Sequence, residues 1–391
     1  MKQVRMGIIG VGVMGSAHAN CLIRGEIADM VLTALCDTDP ARRAQLKETY
    51  PDIPVFETHR ALLESGLTDA VLIATPHYFH PTIAADSLSA GQHVLSEKPA
   101  GVRVSDVEGL GKLAEQCGKV FGIMFNQRTN PLFQKAKELV QSGRLGEPKR
   151  FVWIVTNWYR HQAYYDSGSW RATWSGEGGG VLMNQAPHNL DLWQWIFGMP
   201  KSVRAFCREG QYHNIEVEDD ATIYAEYENG ATALFVTSTG ELPGTNRLEV
   251  CGDRGKLVLE NGELRFWELP YAEREICYTA KDLPDASVAS MTEIKPEGEE
   301  SAHPGILRNF AANILRGEPL LAPGAEGVYE LTISNAAYLS SWTGETVNLP
   351  LDTARFDALL EERAKRSEKK HTSEKNEALS DFYKQKWQVN W

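Results

Sequence analysis

Short apolar runs alternate with helix-like patterns over the first 127 residues. The runs span 4–9, 31–36, 69–74, 92–97 and 119–125, and helical periodicity covers 16–24, 58–66, 81–91 and 103–118. Apolar runs of this length are typical of strands buried on both faces, and their alternation with helices is typical of a parallel sheet. Residues 1–127 are therefore predicted to form an α/β domain with a doubly wound parallel sheet.

The pattern changes beyond residue 127. A helix is predicted near 131–142, and a β-rich section opens at 148–158, with later strands near 201–208, 219–227, 231–239, 246–252, 256–260 and 263–268. Glycine-containing turns at 228–230, 253–255 and 261–262 separate consecutive strands, and such turns accept the positive φ that hairpins require. We predict a second α/β domain over 128–350, with a largely antiparallel sheet.

The rest of the chain is more polar. Residues 280–302 are predicted to form a loop, with helices near 304–316 and 325–341. The last section, 351–391, is rich in Lys and Glu and is predicted to be a charged helical tail. Trp387 and Trp391 near its end suggest that the tail docks onto this subunit or a neighbouring one.

A glycine loop follows the first strand. Gly10, Gly12 and Gly15, with Val13 and Met14 before the last, form the Gly-x-Gly-x-x-Gly pattern between a strand and a helix. Glycines permit the tight turn, the close approach of a pyrophosphate and the packing of helix on strand, while the helix N-terminus attracts the anion. The loop therefore predicts a dinucleotide site.

The residues after the second strand bear on which dinucleotide binds. Asp37 ends that strand, and Thr38 follows it as a further candidate contact. A carboxylate at this place accepts from both hydroxyls of an adenosine ribose and repels a 2′-phosphate, which favours NAD over NADP. Arg42 weakens that preference, because a guanidinium could either hold a phosphate or lie along the adenine.

Another candidate lies at the end of the fourth long apolar run, where Glu97, Lys98 and Pro99 follow one another. Open α/β sheets place ligands beyond the carboxyl ends of their strands. Pro99 excludes the α conformation at Lys98, and so fixes where its side chain leaves the backbone. Lys98 is a candidate active-site residue, the alternative being a strand that ends at the surface.

One segment of the second domain combines glycines with a histidine. Residues 176–180 are glycine-rich and enter a helical pattern that carries Asn184 and His188, four residues apart and hence on one helix face. Pro187 either kinks this helix or begins its first turn. Near a helix start the dipole favours a neutral imidazole, the state that a general base needs. A lone histidine in a helix is more often structural, but beside a nicotinamide site His188 is the obvious proton acceptor.

Aromatic side chains crowd the stretch before this segment. Trp158 and Tyr159 have faces that can stack on a sugar ring, and Arg160 offers hydrogen bonds to sugar hydroxyls. About half of these aromatic residues are expected in the core, Trp153 among them. The stretch is a candidate substrate site for a pyranoside or a cyclitol.

Charge and cysteine usage exclude several classes of function. The net charge of −12 provides no basic surface for nucleic acid or an anionic membrane. No apolar run reaches the roughly 18 residues of a membrane span. The six cysteines lack metal-ligand spacing, and some lie in apolar runs as reduced thiols do. We expect a cytoplasmic protein without a metal site.

Together, the glycine loop, Glu97-Lys98-Pro99 and the segment leading to His188 and Asp191 resemble the glucose-fructose oxidoreductase/inositol dehydrogenase (Gfo/Idh/MocA) family over residues 1–350. The resemblance implies an NAD(P)-binding Rossmann domain, then an α/β domain whose open, mainly antiparallel sheet often forms the subunit interface. It implies an active-site lysine at Lys98 and a catalytic histidine at His188. Asn184 stands where many members carry aspartate, so we assign it to substrate positioning. The remaining candidate cofactor contacts are Thr75, Pro76, His80, Glu97, Lys98, Asn126, Trp170 and Arg171.

These residues predict an NAD-dependent oxidation of a secondary hydroxyl of a sugar, a glycoside (C3 included) or a cyclitol, by a homo-oligomer, either a dimer or a tetramer. His188 takes the hydroxyl proton, Lys98 hydrogen-bonds the same oxygen, and hydride passes to the nicotinamide. Two alternatives stay open: an enzyme that retains NAD and cleaves a glycosidic bond through a keto-sugar, and a non-catalytic sensor of nucleotide or sugar. The presence of both Lys98 and His188 argues against the sensor.

Overall fold

The computed structural model describes residues 3–282 and 285–368, which form two compact units. The first unit comprises residues up to 129 together with 176–178 and 300–331, and the second comprises 130–175, 179–299 and the residues from 332 onward. The domain bounds predicted from the sequence, 1–127, 128–350 and 351–391, stay a prediction. In the structure, residues 300–331 group with the first unit.

The first unit is built on six parallel strands. They lie in the order β3-β2-β1-β4-β5-β6, and the predicted doubly wound parallel sheet is confirmed. The order reverses between β1 and β4, and open α/β sheets bind ligands at such a point. The strands are β1 (Val4–Ile9), β2 (Met30–Cys36), β3 (Val55–Phe56), β4 (Ala70–Ile73), β5 (His93–Ser96) and β6 (Phe121–Ile123).

Six helices connect these strands. Asp39 and Thr58 precede two of them and accept hydrogen bonds from the first turn, as N-cap residues do. The helix predicted over 103–118 is divided in two at Gly109, which is a poor helix former. The helices are α1 (Val13–Ile23), α2 (Pro40–Thr49), α3 (His59–Glu64), α4 (His80–Ser89), α5 (Val104–Val107) and α6 (Leu110–Gln116).

The second unit is built on a nine-stranded sheet in the order β14-β13-β12-β11-β7-β10-β9-β8-β15. All neighbouring strands are antiparallel except β7 and β10, so the prediction of a mainly antiparallel sheet is confirmed. The prediction of a loop over 280–302 was wrong in part, because 290–294 pair with β13. The strands are β7 (Pro148–Val155), β8 (Ser202–Glu209), β9 (Glu218–Glu226), β10 (Thr232–Ser238), β11 (Asn246–Gly252), β12 (Gly255–Glu260), β13 (Glu263–Glu268), β14 (Ser290–Ile294) and β15 (Val347–Asn348).

Eight further helices complete the described chain. Part of the predicted C-terminal tail is helical, and Phe356 from this helix stacks on Trp342 with ring centroids 5.6 Å apart. Trp387 and Trp391 lie outside the described residues. The helices are α7 (Pro131–Gln141), α8 (Gln162–Asp166), α9 (Val181–Asn184), α10 (Pro187–Phe197), α11 (Glu273–Thr279), α12 (Ala302–Arg316), α13 (Gly327–Thr343) and α14 (Thr353–Arg366).

The core of the second unit lies on one face of its sheet. Phe151, Trp153 and Phe235 are fully buried there, and Trp193 of α10 stacks on Phe151. The strand residues that alternate with them lie on the opposite face, where Phe206 is 58% exposed. No helix within residues 3–282 and 285–368 is long and apolar enough to cross a membrane.

Candidate active site

The glycine loop joins β1 to α1, and its glycines serve different purposes. Gly10 has a φ of +85°, and a Cβ on it would lie 2.8 Å from the carbonyl of Ala74. A Cβ on Gly15 would lie 2.1 Å from the oxygen of Gly10. By contrast, no atom lies within 4 Å of the place a Cβ on Gly12 would take. Gly12 therefore leaves open space at the start of α1, where a helix attracts an anion.

Asp37 lies at the end of β2 and faces this loop. Its Oδ2 accepts a 2.9 Å hydrogen bond from the backbone N–H of Val11, and its Oδ1 accepts one from that of Asp39. An ionised carboxylate has about four acceptor positions, so acceptor capacity remains for ribose hydroxyls. Thr38, the next residue, is exposed.

Arg42 lies against the glycine loop and donates hydrogen bonds to it. Its Nε donates to the carbonyl of Val11 over 2.6 Å, and its Nη2 donates to the hydroxyl of Ser16. Its Nη1 donates to Gln45. These bonds engage much of the guanidinium, which leaves less of it to hold a 2′-phosphate.

Two polar atoms near the carboxyl ends of β4 and β6 lack a hydrogen-bond partner. They are Oγ1 of Thr75 and Oδ1 of Asn126, and both are buried. Buried polar atoms are nearly always paired, so unpaired ones at the ligand-binding edge of a sheet fit groups that a ligand would supply. Together with the space at Gly12 and the acceptors of Asp37, they make the first unit fit NAD. Pro76 follows Thr75 and is half-buried.

The resemblance implies a cofactor contact for His80, but in the structure its ring bonds atoms of the protein. It is 1% exposed, with Nδ1 2.8 Å from the carbonyl oxygen of Pro99 and Nε2 2.7 Å from that of Thr75. Burial lowers the pKa of this imidazole. The ring connects the segment after β4 to the turn after β5, and both of its nitrogens are engaged in doing so.

Glu97 also points into the protein, and the cofactor contact that the resemblance implies for it stays a prediction. Its Oε1 lies 2.7 Å from Nε2 of His18, and its Oε2 accepts a 3.3 Å hydrogen bond from the backbone N–H of Lys98. Burial by itself would raise the pKa of the carboxyl, but the hydrogen bond from His18 and the nearby positive charges outweigh it and lower the pKa to about 2. Glu97 therefore stays ionised and holds the backbone at Lys98.

Two histidines around this carboxylate were missed by sequence reasoning. His18 is 2% exposed in α1, and His303 of α12 packs edge-on against it with ring centroids 5.6 Å apart. Burial lowers the pKa of His303 to about 4, so its ring is neutral at pH 7. A histidine among apolar residues of a dinucleotide-binding helix was an available signal for His18, whereas nothing in the sequence links His303 to it.

Lys98 is half-buried and is the second residue after β5. Since β1 and β5 are parallel members of one sheet, Lys98 and the glycine loop lie at the same edge of it. An ammonium group there can donate a hydrogen bond to an oxygen of a ligand bound at this edge.

In the second unit, Asn184 and His188 are both half-buried but lie on different helices. Asn184 is the last residue of α9, and Pro187 is the first residue of α10. Of the two roles predicted for Pro187, the structure shows that it begins a first turn. The expected shared face on one helix was therefore wrong. His188 is the second residue of α10, near the positive end of the helix dipole, as expected.

Aromatic residues are hydrogen-bonded to Asn184 and to Asn189, the residue after His188. The hydroxyl of Tyr164 lies 3.5 Å from Oδ1 of Asn184 and accepts a 2.9 Å bond from Nη1 of Arg171. Nε1 of Trp158 donates to Oδ1 of Asn189 over 3.2 Å. Tyr159 is 40% exposed, and the role of this segment in substrate binding stays a prediction.

Trp170 and Arg171 form part of the same cluster. The guanidinium of Arg171 lies 4.7 Å from the ring centroids of both Trp170 and Tyr164. These contacts hold the guanidinium by cation–π attraction. The cofactor contact that the resemblance implies for the two residues stays a prediction.

Glu218 holds the backbone of the glycine-rich segment and was also missed from the sequence. It is fully buried at the start of β9, and it accepts hydrogen bonds of 2.9 Å from the N–H groups of Gly180 and Leu182 and of 2.7 Å from the hydroxyl of Tyr338. Burial raises the pKa of this carboxyl to about 8, although the three donors lower it. A Cβ on Gly180 would lie 1.8 Å from the carbonyl oxygen of Glu218, so this position requires glycine.

The chemistry of the site rests on proton acceptors and hydrogen-bond donors. Within the part of the chain that is described, no group of three or more His, Cys, Asp or Glu residues could hold a metal ion. The first unit offers a dinucleotide site with a lysine at its edge, and the second offers an imidazole near a helix start. Each of these groups can donate to or accept a proton from a ligand hydroxyl.

Comparison with known proteins identifies the family. Residues 4–125 match a model described as an oxidoreductase family with an NAD-binding Rossmann fold, and residues 133–258 match the GFO/IDH/MocA C-terminal domain. The myo-inositol 2-dehydrogenase of Thermotoga maritima is 25% identical over 354 residues, which cover 88% of this chain and 98% of that protein. The D-glucoside 3-dehydrogenase of Escherichia coli is 26% identical over 378 residues, covering 89% and 98%.

A solved structure resembles the whole fold. The WlbA dehydrogenase from Chromobacterium violaceum, in complex with NADH and UDP-GlcNAcA, superposes with a TM-score of 0.76 at 29% identity. The match covers 90% of this chain and 97% of that one. The chain therefore belongs to the GFO/IDH/MocA family of NAD-binding oxidoreductases.

Proposed function

We propose that the protein is an NAD-dependent dehydrogenase that oxidises a secondary hydroxyl of a sugar, a glycoside or a cyclitol. The observation that carries this proposal is the position of the half-buried Lys98 at the sheet edge that also bears the glycine loop. The named relatives support the substrate class, because an inositol 2-dehydrogenase and a D-glucoside 3-dehydrogenase each match nearly nine-tenths of the chain. The second of these makes C3 of a glycoside a specific candidate.

His188 and Lys98 divide the proton chemistry in this proposal. Neutral His188 accepts the proton of the substrate hydroxyl, and the ammonium of Lys98 donates a hydrogen bond to the same oxygen, which stabilises its developing negative charge. NAD, when bound, supplies the hydride acceptor. Glu97 acts indirectly, since it holds the backbone from which Lys98 projects.

Substrate positioning falls to the second unit. The side chain of Asn184 accepts and donates hydrogen bonds without titrating, so it orients a sugar hydroxyl and takes no part in proton transfer. The exposed ring of Tyr159 and the edge of Trp158 offer surfaces for the apolar face of a sugar ring.

NAD is the proposed cofactor, with NADP disfavoured. Asp37 keeps acceptors for ribose hydroxyls and would repel a 2′-phosphate, while Arg42 is largely engaged with the glycine loop. We also propose a homo-oligomer that uses the open face of the second sheet, on which Phe206 and Tyr224 are exposed. Light scattering of the purified chain measures the oligomer size.

The test of the proposed function is NADH formation by the wild-type protein with a panel of glucosides, aldoses and inositols. The proposal predicts substrate-dependent absorbance of NADH with at least one class and with exchangeable NAD. NAD released in stoichiometric amount on denaturation, without turnover of added NAD, would contradict it. That outcome would favour the retained-cofactor enzyme that cleaves a glycosidic bond, or the sensor.

A further inference from the structure

Arg160 carries a buried positive charge beside the candidate substrate site. It is 6% exposed, and its guanidinium lies 5.1 Å from the ring centroid of Tyr164 and 5.9 Å from that of Trp158. The hydroxyl of Tyr164 lies 3.5 Å from Asn184, and the indole of Trp158 donates to Asn189, the residue after His188. The guanidinium therefore lies beside the aromatic rings that contact the segment carrying the proposed base.

The hydrogen bonds of Arg160 leave its charge without a negative partner. Its Nη1 donates to the carbonyl oxygens of Trp158 and Tyr159 over 2.9 and 2.8 Å, and its Nε is buried without a partner. Within residues 3–282 and 285–368, no carboxylate forms an ion pair with it. Backbone carbonyls satisfy donors but do not neutralise a charge, and arginine is rarely buried unless it is paired.

Asp219, which is linked to the backbone of Arg160 through His213, is engaged with other groups. Asp219 is fully buried and accepts hydrogen bonds from the N–H groups of residues 211–213. It also pairs with His213, whose Nδ1 lies 2.8 Å away and whose Nε2 lies 2.8 Å from the carbonyl oxygen of Arg160. Asp219 and His213 thus fix the backbone of Arg160 and do not meet its guanidinium.

A second guanidinium lies close to the first. The Cζ of Arg171 is 4.7 Å from the same Tyr164 centroid, so the two guanidinium carbons are no more than 9.8 Å apart. Arginine is also the side chain whose planar donors match carboxylate and phosphate oxygens.

We propose that Arg160, with Arg171 beside it, forms a subsite for an anionic group on the substrate, a carboxylate or a phosphate carried by the sugar. The subsite rests on the proposed function, which supplies the sugar ring as substrate, and adds an anionic group to it. It makes the preferred substrate a sugar acid or a sugar phosphate and not a neutral sugar. The anion of the substrate provides the counter-charge for Arg160 that no carboxylate of the described residues provides.

The test is calorimetric binding to the NADH-loaded full chain, which cannot oxidise the sugar, of four ligands: D-glucose, D-glucuronate, D-glucose 6-phosphate and D-glucose 1-phosphate. At low salt at least one anionic sugar should bind roughly 10- to 100-fold more tightly than glucose, since hydrogen bonds to charged groups contribute about 1.5–3 kcal/mol. A preference for glucuronate identifies a carboxylate subsite, and a preference for either phosphate ester identifies a phosphate subsite. Arg160→Gln should abolish the preference. Arg160→Lys, which keeps the charge but loses the planar fork, should retain part of it.

Equal affinity for glucose and every anionic sugar, or a preference that persists in Arg160→Gln, would overturn the subsite. Circular dichroism establishes that each variant is folded, and Arg160→Lys provides the comparison if Arg160→Gln does not fold. Binding is measured without turnover, so the two proposals fail separately. Tight anion binding without NADH formation contradicts the dehydrogenase, whereas turnover of glucose without anion preference contradicts the subsite.

Discussion

The carboxylate of Glu97 lies 2.7 Å from Nε2 of His18 and also accepts a hydrogen bond from the backbone N–H of Lys98. Glu97 therefore fixes the backbone at the proposed catalytic Lys98, and His303 packs against the imidazole of His18. This arrangement gives Glu97 and Lys98 different roles at the end of β5. Glu97 holds the backbone, and Lys98 remains half-buried at the sheet edge.

Glu97→Gln tests this arrangement. The variant keeps the shape of the side chain but removes the buried charged acceptor that bonds His18 and the backbone N–H of Lys98, and hydrogen bonds to charged groups contribute about 1.5–3 kcal/mol. We expect urea unfolding to show a loss of this size and kcat to fall, because Lys98 loses its fixed backbone. Asp86→Asn breaks the surface pair with His59 and serves as a control that should cost about 1 kcal/mol or less. Similar losses in the two variants would contradict the account.

His303→Gln tests the pH dependence of stability. The folded-state pKa of His303 is lowered to about 4 from an ordinary 6.5. The unfolded state therefore binds a proton first as the pH falls, and stability should decline between pH 6.5 and 4. Protonation of Glu97 should reduce stability at lower pH, between its ordinary pKa of 4.5 and its folded-state pKa of about 2. Unfolding at a series of pH values should show the upper decline reduced in His303→Gln, and an unchanged profile would rule out a buried neutral ring.

Glu218→Gln tests whether the Glu218 carboxyl fixes the backbone of the glycine-rich segment. Above pH 8, where the carboxyl is ionised and only accepts, the amide turns one acceptor into a donor that faces N–H groups. Under those conditions we expect the free energy of unfolding to fall by about 2–4 kcal/mol and kcat to fall with little change in KM. Tyr338→Phe removes one donor to the same carboxyl and should cost only about 1 kcal/mol. A Glu218→Gln protein with normal kcat would show that His188 does not depend on this carboxyl.

Gly12→Ala and Gly15→Ala form a matched pair at the glycine loop. A Cβ at Gly12 meets no atom within 4 Å, so Gly12→Ala should keep its melting temperature but lose NAD affinity, because the methyl group occupies the space for the pyrophosphate. A Cβ at Gly15 meets the Gly10 oxygen at 2.1 Å, so Gly15→Ala should lower the melting temperature. Thermal unfolding and NAD titration of both variants measure these effects. Normal NAD binding by Gly12→Ala would contradict the assignment of the loop.

Much of the fold follows from local patterns in the sequence. The apolar runs located five of the six parallel strands, since buried strands are continuously apolar, and the glycine turns located three hairpins. The edge strands β3 and β14 were not predicted, because β3 has only two residues, too few for a pattern, and β14 is largely polar. A polar edge strand resembles a loop in sequence, because backbone hydrogen bonds pair it with its neighbour and leave no apolar pattern in the side chains.

The candidate site could be predicted less fully, because its supports connect distant parts of the chain. Lys98, Asn184 and His188 were identified from motifs that each span a few residues. Glu218 and His303 act on segments far away in sequence, and neither stands in a motif. The inward direction of Glu97 and His80 depends on partners that folding brings to them. Local patterns identify candidate groups, whereas the packed structure determines which of them remain accessible.

The most direct test of the proposed mechanism is single-turnover NADH formation by wild-type protein, Lys98→Met, His188→Asn and the double variant, with the best substrate from the panel. Because both residues are assigned to one hydroxyl, each single change should slow the step by about 10²–10⁴. The double variant should be little slower than the worse single variant, since residues that act as a unit are not additive. Normal rates in either single variant, or fully additive losses in the double variant, would contradict the assignment.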